Sequence, residues 1–212
     1  MTVFLSHSKT KLALHTLREG DGRPLLLLHG LGEHSPRIAG PELANWSGPV
    51  YALDFTGHGE SSVPGGGGYT AETLMADADA ALAVIGPLTV LGKGLGAYIA
   101  LLLAGARARQ IHGAILCDGP GLAGGGDHPG AVIVRGVPER QTAPDPFALV
   151  ELASDLRPSE YAVGFVGLAR QLSDLSEPIT VCAKARPDWL KAVLVEPGVT
   201  TGSVDEALLR YG

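Results

Sequence analysis

At 212 residues, 45% of them apolar, the chain suits one compact α/β domain with a sizeable core. A formal charge of −6 without a basic stripe argues against nucleic acid as the main partner. Neither a signal-like N-terminus nor a run of about 18 apolar residues is present, so a cytoplasmic location without a membrane span is expected.

Val3-Phe4-Leu5 and residues 11–17, joined across Ser8-Lys9-Thr10, read as an N-terminal hairpin. Short apolar runs then recur at 24–28, 49–53, 88–91, 113–117, 178–183 and 192–195. They are too short for helices and lack polar alternation, as strands covered on both faces do. Between them, residues 70–85 carry Leu74, Ala78, Leu82 and Ile85 on one helical face, with Asp77 and Asp79 directed away from it. Thr70 is the expected N-cap and Gly86-Pro87 the stop. Residues 96–108 are apolar nearly all round, as in a buried central helix, and Arg107 and Arg109 complement its dipole. Such alternation predicts right-handed crossovers and a mostly parallel sheet with helices on both faces.

The pattern changes over 119–177, which opens G-P-G-L-A-G-G-G-D-H-P-G and passes through Pro144, Pro146 and Pro158. Helical patterns at 147–156 and 160–172 mark it as connecting helices and loops over the sheet's C-terminal edge. Residues 1–212 are therefore expected to form a single domain. Cys117 and Cys182 lie in strand-like runs and read as buried free thiols. Asp127-His128 lacks a third ligand at recognisable spacing and reads as a polar loop tip. Residues 92–96, G-K-G-L-G, match neither a Walker motif nor a dinucleotide fingerprint, so no metal or cofactor is expected.

Three stretches end successive predicted strands, where open α/β sheets place their binding crevice. They are L-L-H-G-L-G-E-H-S (27–35), L-D-F-T-G-H-G-E-S-S (53–62) and L-G-K-G-L-G-A-Y (91–98). In this order they resemble the α/β-hydrolase superfamily, and H-G-x-G-E-H-S is similar to its monoacylglycerol lipase and lysophospholipase branch. The resemblance is specific from about residue 25 to 117 and loose beyond, and it implies an α/β-hydrolase fold; the short, broken 119–177 stretch and the short C-terminal connection give the expectation of a reduced C-terminal part and no separate cap domain.

It also implies that the amides of Leu31 and Leu95 form an oxyanion hole, and that the middle of G-x-S-x-G holds the nucleophile on a strained strand-to-helix elbow. Gly92 and Gly96 meet the steric needs of that elbow, but Gly94 stands in the nucleophile position. A glycine there relieves a backbone strain of roughly 1–3 kcal/mol. The family's acid belongs after the seventh strand, where direct alignment gives Pro187 and Asp188 is adjacent. Its histidine falls at Thr201, and no histidine follows position 128. With eight residues between Ala183 and Ala192, the helix before the last strand is expected to be missing.

The triad positions Gly94, Asp188 and Thr201 thus read as vestigial. The candidate ligand pocket comprises His29, Gly30, Leu31, His34, Lys93, Gly94, Leu95 and Asp118. His29 and His34 are expected to shape the oxyanion loop, with His58 and Asp54 fixing the loop after the next strand. Lys93 would be a solvated cation at the crevice, and Asp118 would sit at its edge. Cys117 lacks a paired histidine and is no substitute nucleophile.

The reading these residues favour is a pseudohydrolase that binds a small apolar ligand or a protein partner, with self-association left open. One alternative is a lyase, isomerase or cyclase using the oxyanion amides with His34, Lys93 or Asp118. Another is a regulatory subunit docking through the surface left by the missing helix. A conventional serine esterase fits the family but not these residues.

Overall fold

The computed structural model describes residues 1–7, 10–123, 143–154 and 157–212. Eight strands form one sheet: β1 (Thr2–His7), β2 (Thr10–Arg18), β3 (Leu25–Leu28), β4 (Val50–Leu53), β5 (Leu88–Lys93), β6 (Ile111–Cys117), β7 (Ile179–Val181) and β8 (Val199–Thr201). Their order is β1-β2-β4-β3-β5-β6-β7-β8. The expected hairpin β1–β2 and the β2–β4 pair are antiparallel, and every other pair is parallel.

Strand alternation divides the core. Leu26, Leu28, Val90, Ala114 and Leu116 face helices α1 (Ala71–Ile85), α2 (Leu95–Ala106), α3 (Pro146–Ala153), α4 (Ser159–Leu172) and α5 (Asp188–Leu194). Leu25, Leu91, Ile115 and Cys117 face the 3-10 turn Pro41–Leu43 and the last helix, α6 (Val204–Tyr211). Both sheet faces are therefore covered, which is why the strands carry few polar residues. The long β3–β4 connection makes only that turn, because Pro36, Gly40 and Pro41 interrupt any helix.

Helix α1 starts where expected: the Thr70 hydroxyl accepts from the Thr73 amide at 3.2 Å, and Gly86 ends it at φ 89°. The expected outward direction of Asp77 is wrong. Asp77 is fully buried and accepts the Thr56 amide at 2.8 Å. It lies between Leu74 and Ala81 on the inward stripe, where the loop after β4 supplies a backbone donor. Asp79 does point out, bound by Arg107 through two 2.7 Å hydrogen bonds.

The C-terminal expectations need two corrections. Residues 192–195 are not a strand; Ala192, Val193 and Leu194 end α5, which buries Trp189, Leu190 and Val193. The helix between the last two strands is thus present, seven residues long, and the last strand is the later V-T-T of β8. The apolar surface expected from its loss is not left open. Asp127 and His128 lie outside the described residues. So does most of the 119–144 stretch, whose described continuation holds α3 and α4.

From β3 the chain moves to β4 on one side, and α1 returns it to β5 on the other. This reversal places the loop after β3 and the turn after β5 side by side at the strands' C-terminal ends, the crevice position of open α/β sheets.

Candidate functional site

The turn after β5 has the strained elbow geometry. Gly94 lies at φ 58° and ψ −121°, a conformation that costs a residue with a Cβ roughly 1–3 kcal/mol. A Cβ at Gly92 would collide with the Gly96 carbonyl, and one at Gly96 would lie 2.6 Å from the His29 carbonyl oxygen. Strand β5, helix α2 and the loop after β3 can approach this closely only with hydrogen at both positions.

The space above the elbow is filled. The Leu31 and Leu95 amides both donate to one acceptor, the Pro120 carbonyl oxygen, at 3.0 and 2.9 Å. The pair expected to receive an oxyanion therefore holds a carbonyl of the chain itself. Residues 119–121, Gly-Pro-Gly, are shaped for this insertion. A Cβ on Gly121, at φ 77°, would lie 2.6 Å from Leu31 Cβ, and one on Gly119 would lie 2.7 Å from the Gly94 amide nitrogen. Gly30 leaves room for the Pro120 ring, which a Cβ there would meet at 2.9 Å. A Cβ on Gly94 would run into the Pro120 oxygen and lie 2.6 Å from the Gly119 carbonyl carbon. The glycine in the nucleophile position is thus a packing requirement of the plug.

Two buried histidines brace the surrounding loops. His29 Nδ1 donates to the Gly30 carbonyl at 2.8 Å, so Nε2 is the acceptor of the Phe55 amide at 3.1 Å. His58 mirrors it, with Nδ1 on the Thr56 carbonyl and Nε2 accepting the Gly32 amide, both at 3.2 Å. Each ring acts only when neutral. Burial, then repulsion from His58, lowers the His29 pKa to about 4, and burial lowers that of His58.

A native pKa below the unfolded value means that the unfolded chain binds more protons between about pH 6.5 and 4. Stability should therefore fall as pH drops through that window, by about 3 kcal/mol when complete. Urea midpoints at pH 7.5 and 4.5 check this, and His29→Gln, which keeps an acceptor, should flatten the decline.

Asp54, buried at the end of β4, accepts the Ser35 amide at 2.7 Å, the Glu60 amide at 2.8 Å and His15 Nε2 at 3.0 Å. Glu33 accepts the Gly30 amide at 3.1 Å. His34 is exposed, with Nδ1 on the Ser35 carbonyl at 2.9 Å.

The crevice-edge candidate Asp118 and the positions expected to hold the acid and the base do other work. Asp118 accepts the Lys184 and Ala185 amides at 2.7 and 2.9 Å, tying the end of β6 to the loop after β7. Slight burial would raise its pKa, but those amides, with Arg186 and Lys184, hold it below the ordinary carboxylate value. Asp188 opens α5 and is bound by Lys191 Nζ at 2.6 Å. Thr201 lies within β8, so the turn following the last strand is Gly202-Ser203 and carries no imidazole. Trp189, absent from the sequence-based set, donates Nε1 to the Leu122 carbonyl at 2.7 Å and meets Tyr98 edge-on at 5.0 Å. It pins the segment that carries the plug.

A cavity of about 720 Å³ opens beside the elbow, on the α6 side of the sheet. His29, His34 and Lys93 line it over a floor of Leu27, Leu43 and Leu91. The structure thus splits the expected pocket. Gly30, Leu31, Gly94 and Leu95 pack around the plug, while the two histidines and Lys93 border open space. Cys117 also lines the cavity. Its hydrogen bond with Cys182, then burial, pushes its thiol well up, so it stays protonated. Among the described residues, no three His, Cys, Asp or Glu side chains gather as a metal site. No helix among them is long and apolar enough to cross a membrane.

Residues 23–137, just over half the chain, match the family described as serine aminopeptidase, S33, a hydrolase family. This chain belongs to that family. The match takes in the S33 family's loop after β3 and its elbow after β5, and ends before β7 and β8. No curated protein matches the sequence. Among solved structures, the chain is similar to Est1E from Butyrivibrio proteoclasticus with ferulic acid bound (14% identity, 99% of this chain and 98% of that one, TM-score 0.65). It is also similar to the haloalkane dehalogenase DatA from Agrobacterium tumefaciens (16% identity, 100% and 97%, TM-score 0.63). At these identities the likeness is one of fold, and the fold is that of the α/β hydrolases.

Proposed function

We propose that this S33-family chain is a pseudohydrolase: it keeps the α/β-hydrolase architecture but binds a ligand without hydrolysing it. The observation that carries the reading is the Pro120 carbonyl seated on both the Leu31 and Leu95 amides. An acyl-transfer site uses such a pair to stabilise the negative charge that develops on the substrate oxygen, commonly a dominant contribution to rate. Here both donors are satisfied in the ground state, so a substrate carbonyl would first have to displace a packed segment. Gly94 supplies no nucleophile, and Gly202-Ser203 supplies no base.

The same contact weighs against a lyase, isomerase or cyclase, since that reading needs the amides available to substrate. Two of its three candidate groups are also engaged or exposed: Asp118 holds two backbone amides, and His34 is an exposed residue at the cavity's border, which leaves only Lys93. With α5 in place, a docking surface left by a missing helix has no basis. The 720 Å³ cavity falls within the roughly 300–1,000 Å³ typical of small-molecule sites, so the ligand is expected there.

A fluorophosphonate probe should fail to label the purified protein, and p-nitrophenyl butyrate should hydrolyse at the buffer rate. Labelling that persists in Cys117→Ala, or hydrolysis that scales with protein concentration, would sink the proposal.

A further inference from the structure

Building on the binding role proposed above, we infer that the cavity beside the elbow receives an apolar molecule bearing a carboxylate, with Lys93 as the anchor of its head group. The residues divide the cavity into two chemistries. Leu27 and Leu91 from adjacent strands, with Leu43 from the 3-10 turn and Val204 from α6, form an apolar wall suited to an aliphatic or aryl body. Charge is confined to the side formed by the β3–β4 loop and the end of β5, where Lys93 is the cation among the lining residues.

The acids there are unequal competitors for a ligand. Glu33 already accepts the Gly30 amide. Glu42 stands 3.6 Å from Lys93 Nζ, close enough to attract but beyond hydrogen-bond distance, and both side chains are about half exposed. An ion pair this open contributes little, within roughly 1 kcal/mol, so a carboxylate held by the apolar wall can take the ammonium from Glu42. The elbow explains why the lysine faces this way: position 94 lies against the plug, while position 93, still in β5, lines the cavity.

Calorimetric titrations at pH 7.5 with octanoate, octanamide and octylamine test this on the intact protein. The three share one apolar body and differ in head-group charge. Octanoate is expected to bind at least tenfold more tightly than the other two. Lys93→Met should bring octanoate down to the octanamide level, whereas Glu42→Gln should tighten it. Val204→Trp, folded by circular dichroism, should weaken binding of all three alike by narrowing the apolar wall.

Octylamine or octanamide binding as well as octanoate, indifference to Lys93→Met, or no saturable octanoate binding by the folded wild type would overturn the inference. Hydrolysis of p-nitrophenyl octanoate by the wild type would instead strike at the pseudohydrolase reading, so the two failures are distinct.

Discussion

Gly94→Ser is expected to give no ester hydrolysis and to lower the unfolding free energy by about 4 kcal/mol. Two effects add. A Cβ at φ 58° and ψ −121° bears backbone strain of roughly 1–3 kcal/mol. It also enters space already held by the Gly119-Pro120 backbone, and overpacking of this kind typically costs about 1–3 kcal/mol. The new hydroxyl would find no imidazole after β8 and no vacant oxyanion hole.

Gly94→Ala separates sterics from chemistry and should destabilise to the same degree. Urea unfolding of both variants, with a p-nitrophenyl butyrate assay of the serine variant, checks the prediction. Hydrolysis above background, or wild-type stability in either variant, would count against the account of the elbow.

Asp54→Ala should destabilise by a similar amount, about 4 kcal/mol, through a different mechanism. The carboxylate ends β4 and reaches into both neighbouring loops, accepting the Ser35 and Glu60 amides and His15 Nε2. Because His15 Nδ1 accepts from Arg37 at 3.0 Å, Nε2 carries the hydrogen that points at Asp54. Alanine would leave these donors buried without their acceptor, while Asp54→Asn keeps the shape and loses the charge.

Burial would raise the Asp54 pKa, but the Glu60 amide, His15 and Ser35 overcome it and hold the carboxyl below its ordinary value. The native group therefore loses its proton more readily than the unfolded one. Its contribution is present above about pH 4 and lost as pH falls further. The His29 contribution fades earlier, from about pH 6.5 downward, so urea titrations across pH separate the two. An Asp54→Ala variant within 1 kcal/mol of wild type would show that the network is dispensable.

Much of the fold was legible because the strands run apolar on both faces and the helices announce their caps. Thr70 and Gly86 bracket α1 where the sequence places them. The C-terminal part was harder. A-V-L-V at 192–195 is too short for periodicity to tell strand from helix. That its first three residues end α5 depends on Trp189, Leu190 and Val193 packing together after Pro187 has started a turn. Helix α6 did leave a local signal, the capping box of Ser203 and Glu206, but V-T-T before it is hardly distinguishable from loop. The inward direction of Asp77 is not legible locally, because a buried carboxylate needs a partner and its partner is the Thr56 amide, 21 residues upstream.

The candidate site was legible in its parts but not in its closure. Gly92, Gly94 and Gly96 spell out an elbow, and Gly119-Pro120-Gly121 spells out a turn. That the Pro120 carbonyl lands between the Leu31 and Leu95 amides depends on β3, β5 and β6 ending side by side, which no local pattern encodes. From the sequence, the glycine at 94 reads as relief of strain. The structure adds that residues 119–121 occupy the room a side chain would need, which links two glycine motifs 25 residues apart.

The central claim, an oxyanion hole filled by the protein's own carbonyl, is tested most directly by nuclear magnetic resonance detection of scalar coupling across hydrogen bonds. In the labelled wild-type protein, the Leu31 and Leu95 amide nitrogens should each correlate with the Pro120 carbonyl carbon, alongside the correlations within the parallel sheet. Observable Leu31 and Leu95 amides that couple to no carbonyl, in a spectrum where β3–β5 pairs do, would contradict the account and reopen the site to substrate.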